Sequence, residues 1–273
     1  WSSDVCSSDL NPLIATIFPD QKTKKLTLFH AWFPGGIVIG GLAVFLLSQV
    51  GCGMGTPFGW KIKMLLMLIP AVIYASMIMG QKFPPTERAA AGLPFSEMFV
   101  EALRRPLFII IFLLMWLTAA TELGPGQWIS NIYNDVMGSA TGAGVLLLVW
   151  GNGIAWAQRQ FLSGTAHKLT PVSLIAFTAP CAALGLFLCS VATTPFMWFV
   201  ASGLLYFGVS FWWPTMLGIT TERFPKTGAL GLAIIGGTGS ISTAVAGPVM
   251  GKINDTFGAA KVLPIWASLP VVI

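Results

Sequence analysis

Glu122 is the residue in this sequence best placed to do chemistry. It follows sixteen uncharged residues, Pro106 to Thr121. A charge held inside a bilayer costs about 3 kcal/mol or more unless it is paired, hydrated or protonated. A carboxylate that alternates among those states can carry a proton across. The same group could instead cap a helix end or lie in a wet outer vestibule, because sixteen residues at about 1.5 Å each nearly cross a hydrocarbon core of roughly 30 Å. Gly124, Pro125 and Gly126 follow directly and predict a helix break, since proline cannot donate its missing N–H and leaves a carbonyl free towards a cavity. A packing kink is the alternative.

Polar and aromatic side chains follow this acid and recur in later apolar segments. Gln127, Asn131 and Asn152 offer donors and acceptors together, as a hydroxyl-rich solute requires, or they bond between helices. Trp128, Tyr206, Trp212 and Trp213 could stack on sugar faces or anchor at the membrane interface. His30 either exchanges protons near neutrality or is a polar anchor at a helix end. Arg159 with Lys168, and Glu222 with Arg223 and Lys226, stand at the ends of apolar segments. There they form either ion pairs of a cytoplasmic gate, closed in one state and parted in another, or a solvated rim. Gly231, Gly236, Gly237, Gly239 and Gly247 allow close helix contact along one segment.

The elements carrying these residues are membrane helices. With 55% apolar residues, 9% charged and mean hydropathy +0.78, the sequence reads as an all-α polytopic membrane protein embedded in a lipid bilayer. The net charge of +5 follows from loop topology and does not point to nucleic acid. Cys6, Cys52, Cys181 and Cys189 lack metal-ligand spacing, and His30 and His167 are far apart, so neither a metal nor a cofactor is expected. HExxH, GxSxG and paired-carboxylate patterns are absent from the sequence, which argues against an enzyme.

Residues 1–10, Ser-rich and lacking a basic start or apolar core, read as non-native sequence, and both ends read as truncated. Residues 11–17 resemble the tail of a helix. Seven complete spans are expected after it, at about 29–50, 61–80, 106–135, 139–161, 171–191, 195–220 and 228–251, with a further one starting near 262. Residues 11–80 would end one helix bundle, 81–105 form a cytoplasmic central loop, and 106–273 make a second bundle. Alternate loops support the count: Lys and Arg number eleven on one side and four on the other. That asymmetry places loops 18–28, 81–105, 162–170 and 221–227 in the cytoplasm.

A weak internal repeat links Asn11-Pro12 and Phe18-Pro19 with Trp213-Pro214 and Phe224-Pro225, each followed by a lysine and a Gly-rich segment. NPLIATIFPD leading into HAWFPGG, TELGPGQW, RQFLSGTAHKLTP, TERFPKTGALGLAIIGGTGS and GPVMGKINDTFG together resemble the major facilitator superfamily. The match extends from Asn11 onward. In that frame the sequence runs from the end of helix four to the start of helix twelve. It is most similar to the fucose and glucose permease branch of proton-linked sugar symporters, through Asn11-Pro12 and the Glu-x-Gly-x-Gly-x-Trp pattern from Glu122 to Trp128.

The resemblance implies a secondary active transporter in a bacterial inner membrane, moving a small polar solute, a monosaccharide above others, with protons and by alternating access. Glu122 would couple the proton, and Gln127, Trp128, Asn131, Asn152, His30, Tyr206 and Trp213 would line the solute path. Two departures stand out. His167 occupies the place where an acid is common after helix eight, and His30 and Trp32 stand where the sugar permeases place amides. Nitrate porters are disfavoured, because no arginine lies inside helix eight; Arg159 is at its end. A membrane sensor that binds solute without moving it, or a facilitator of a non-sugar metabolite, remains open on the residues.

Overall fold

The computed structural model describes residues 3–52, 56, 58–82, 95–138, 143–166 and 169–273. All regular structure among them is helical. In chain order the helices are α1 (Ser3–Ile17), α2 (Lys22–His30), α3 (Trp32–Gln49), α4 (Gly59–Leu65), α5 (Leu68–Ile78), α6 (Phe95–Arg104), α7 (Pro106–Met137) and α8 (Ala143–Phe161). Then follow α9 (Ser163–Ala166), α10 (Pro171–Val191), α11 (Pro195–Val209), α12 (Trp212–Arg223), α13 (Gly228–Phe257), α14 (Ala259–Trp266) and α15 (Leu269–Val272), with short 3-10 turns at Pro19–Gln21 and Pro225–Thr227.

Local chemistry sets these boundaries. α7, α10 and α11 open with proline at the first helical position, where its missing N–H is not needed. Thr170 and Thr194 cap α10 and α11 by accepting from the Ser173 and Met197 amides. Gly138 ends α7 in the left-handed region at φ 61°, which glycine adopts without a Cβ penalty.

Six helical stretches among the described residues are long and apolar enough to cross a membrane, and the chain is an integral membrane protein. They match the expected spans at 29–50, 61–80, 106–135, 171–191, 195–220 and 228–251. The expected span at 139–161 is the 19-residue helix α8. Asn152, Gln158 and Arg159 dilute its apolar character, and it packs on α3, α7 and α11. The last expected span is present as α14 and α15.

Two buried clusters hold the bundle together. One gathers Tyr133, Leu147, Leu186, Trp198, Trp212 and Trp266, with Trp198 edge-on to Tyr133. The other gathers Leu26, Phe108, Met115, Trp213, Met216 and Ile235. α4 and α5 contribute little to either; Leu68, Ile69, Val72 and Met77 are all more than half exposed, the surface a bilayer covers.

The helix break expected at Gly124 to Gly126 is corrected. α7 runs unbroken from Pro106 to Met137 with Pro125 inside it, so the interruption is confined to one missing N–H bond. Gly124 lies under the Trp266 indole and the Met250 sulfur, where an added Cβ would sit 3.0 and 3.1 Å from them, and it serves packing. Spans are interrupted elsewhere, at Ala31 between α2 and α3, at Leu66 and Met67 between α4 and α5, and at Ser210 and Phe211 between α11 and α12.

Candidate functional site

Glu122 stands at the middle of α7, far from either end of that helix. It meets Arg159 of α8, with Glu122 Oε1 2.8 Å from Arg159 Nη2. The Arg159 side chain is 2% exposed and that of Glu122 11%, which makes this a buried pair.

Arg159 is near the C-terminal end of α8, but Cα–Cβ bonds tilt towards a helix N-terminus, which sends its long side chain back into the bundle. Its charge therefore lies inside the bundle, beside Glu122, and not at the exposed helix end. Two backbone carbonyls fix the guanidinium. Nη1 donates to His30 O at 3.0 Å, and Nε donates to Ser210 O.

Both carbonyls are orphaned for the same reason. In a helix each would accept from the amide four residues on, and those residues are Pro34 and Pro214, which have no N–H. Each also lies where one helical segment ends, α2 for His30 and α11 for Ser210, so the guanidinium faces two negative helix poles. The sequence carried this signal, in two prolines inside apolar segments, each four residues after a carbonyl that needs a partner.

Beside the pair lies a cavity of about 260 Å³. Glu122, Leu123, Gly126 and Gln127 of α7 line it, with Leu148 and Asn152 of α8, Tyr206 of α11, Thr243 of α13, and Phe33 and Ile37 of α3. Asn152 Nδ2 donates to Leu148 O at 2.9 Å, which leaves its amide oxygen for other contacts. The Tyr206 hydroxyl is buried without a partner at bonding geometry, and Tyr206 lines the same cavity as Glu122 and Asn152. The Tyr206 ring lies flat on α8 at Gly151, where any Cβ would overlap it.

Of the solute-lining residues expected from the sequence, Gln127, Asn152 and Tyr206 meet at this cavity with Glu122. The others do not line it. Asn131 is exposed on α7. Trp128 packs against the core beside Gly251, 3.4 Å from where a Cβ would be. Trp213 is 7% exposed and packs on α13 at Gly239. His30 is 5% exposed; its Nε2 pairs with Asn11 Oδ1 at 2.9 Å, and its ring tilts against Trp213. The periodicity of a helix does not tell which side of it faces a cavity, so these residues could not be sorted from sequence.

At the basic end of the bundle, Glu222 and Arg223 are exposed at the end of α12, and Glu222 accepts from the Thr23 hydroxyl of α2. Lys168 lies outside the described residues.

No protein-family model matches the sequence, and no curated protein matches it. Among solved structures the chain is similar to the E. coli fucose:proton symporter FucP, in a crystal structure of a single-residue variant. The TM-score is 0.68 at 16% sequence identity, covering 97% of this chain and 72% of the symporter. The chain has a partial major facilitator fold.

Proposed function

We propose that the protein is a secondary active transporter that moves a small polar solute, in the first place a monosaccharide, together with a proton by alternating access. This reading places it in the major facilitator superfamily near the fucose and glucose permeases, in a bacterial inner membrane. The observation that carries it is the Glu122–Arg159 pair, buried against a cavity lined by Gln127, Asn152 and Tyr206. The likeness of fold to a fucose:proton symporter supports it.

The residues divide the work by type. Gln127, Asn152, Tyr206 and Thr243 supply donors and acceptors to solute hydroxyls. Phe33 and Ile37 come from the expected first bundle, and the other lining residues from the expected second. A solute held between them contacts both halves, and rocking of the halves exposes it to either face. Glu122 takes up a proton when the cavity opens to the proton-rich side and gives it up on the other. As a carboxylate it is held by Arg159; once protonated it loses the charge of that pair and is released. Glu222 and Arg223 would close the cytoplasmic end in one state.

The test is uptake by the complete gene product in proteoliposomes, with a panel of monosaccharides and an imposed pH gradient. Accumulation driven by the gradient and lost in Glu122→Gln supports the reading. Uptake indifferent both to the gradient and to that substitution removes Glu122 from the coupling step.

A further inference from the structure

We propose that the solute is an anionic monosaccharide derivative, a hexose carrying a carboxylate, which binds together with one proton. The inference rests on the transport reading above and deepens it.

It comes from the charge balance at the cavity. Among the described residues Glu122 is the single ionisable side chain that both lines the cavity and pairs with Arg159. Among the described residues, the cavity lining and the Arg159 beside it include no second acid. α8 presents Arg159, α11 presents Tyr206, and α2 presents the His30 carbonyl, its ring turned to Asn11 and Trp213. Phe33 and Ile37 of α3 and Thr243 of α13 carry no charge.

With Glu122 ionised, the site is neutral. With Glu122 protonated, the site carries the full charge of Arg159, buried at 2% exposure. That charge cannot be withdrawn, because the carbonyls of His30 and Ser210 hold the guanidinium in place. Neither carbonyl can accept a helical bond instead, since Pro34 and Pro214 stand at the donor positions. A fixed, buried guanidinium that has lost its carboxylate is strongly unfavourable.

A neutral sugar would leave it so. A solute carboxylate would restore the pair by accepting from Nη2, the guanidinium nitrogen that neither carbonyl holds. Gln127, Asn152 and Tyr206 then remain for the hydroxyl groups. Proton and anion thus favour each other's binding, and the loaded cavity has the same net charge as the empty one.

The balance is measurable. In proteoliposomes, uptake of D-glucuronate or D-gluconate is expected to follow a pH gradient and to be insensitive to a potassium diffusion potential, because one proton and one monoanion enter together. Purified protein is expected to bind these acids with an affinity that falls about tenfold per pH unit where one proton is linked to binding. Glu122→Gln, which fixes the neutral form, is expected to bind them at an affinity nearly independent of pH, and at least ten times more tightly than D-glucose or L-fucose.

Neutral sugars taken up electrogenically with protons, while their acids are ignored, would overturn the anionic solute and leave the transport reading intact. Binding of neither acids nor neutral sugars by the folded protein would overturn both. Acid binding that loses its pH dependence only when Tyr206→Phe is introduced, and not in Glu122→Gln, would overturn the assignment to this pair.

Discussion

Arg159 donates to the carbonyl of His30 at 3.0 Å, four residues before Pro34, and the same guanidinium donates to the carbonyl of Ser210, four residues before Pro214. The side chain that faces Glu122 is thus held by two gaps that prolines leave in helices. Helix interruption and buried charge are one construction here, because each satisfies what the other lacks.

Removing the charge should therefore cost more than removing a surface ion pair. Arg159→Met leaves a buried carboxylate and two unsatisfied carbonyls, and is expected to destabilise the protein by about 3 to 5 kcal/mol. Arg159→Lys keeps the charge without the fork and should fall between that variant and the parent. Thermal unfolding in detergent micelles ranks the three, and equal melting temperatures would show that the pair carries no stability.

The proline relationship can be isolated with a double-mutant cycle. Pro214→Ala restores an amide that can bond to Ser210 O, so that carbonyl no longer depends on Arg159. The cost of Arg159→Met is expected to be about 1 kcal/mol smaller in the Pro214→Ala background than in the parent. Strict additivity would mean that the helix does not close over the restored bond.

The fold itself was largely legible. Pro171 and Val191 bound a helix both in the sequence reading and in the structure, because an N1 proline, a threonine cap and an uninterrupted apolar run leave little choice. The site was less so. Gln127, Asn152 and Tyr206 share the cavity while Trp128, Asn131 and Trp213 do not, and this depends on helix rotation, which tertiary packing sets. Arg159 was hard to place because its backbone is near a helix end while its charge is turned back into the bundle. Gly124 to Gly126 read as a break in the sequence, yet the two breaks beside Arg159 lie at Ala31 and at Ser210 and Phe211, shortly before Pro34 and Pro214.

Tyr206 separates binding from folding. Its buried hydroxyl has no partner at bonding geometry, so Tyr206→Phe should leave stability unchanged or slightly raised while weakening solute binding about tenfold, the worth of one hydrogen bond of about 1.4 kcal/mol. Isothermal titration and a melting curve on the same sample decide this. An equal loss in both would make the hydroxyl structural.

Close helix approach constrains Gly144 and Gly151 on α8. At Gly144 a Cβ would run into the Ser130 backbone carbonyl, and at Gly151 into the Tyr206 ring. Gly144→Ala is expected to cost about 1 to 3 kcal/mol, since backbone cannot step aside. Gly36→Ala, which meets nothing within 4 Å, should be neutral or stabilising by about 0.5 kcal/mol. Melting temperatures of the two variants test the packing of α7 on α8 directly.

Proton movement coupled to solute is the most direct measure of the Glu122–Arg159 device. Adding substrate to proteoliposomes in weakly buffered medium should make the external pH rise as protons enter with the solute, and Glu122→Gln should abolish that rise while still binding the solute. A pH rise of the same size in Glu122→Gln would contradict the assignment of Glu122 as the proton carrier.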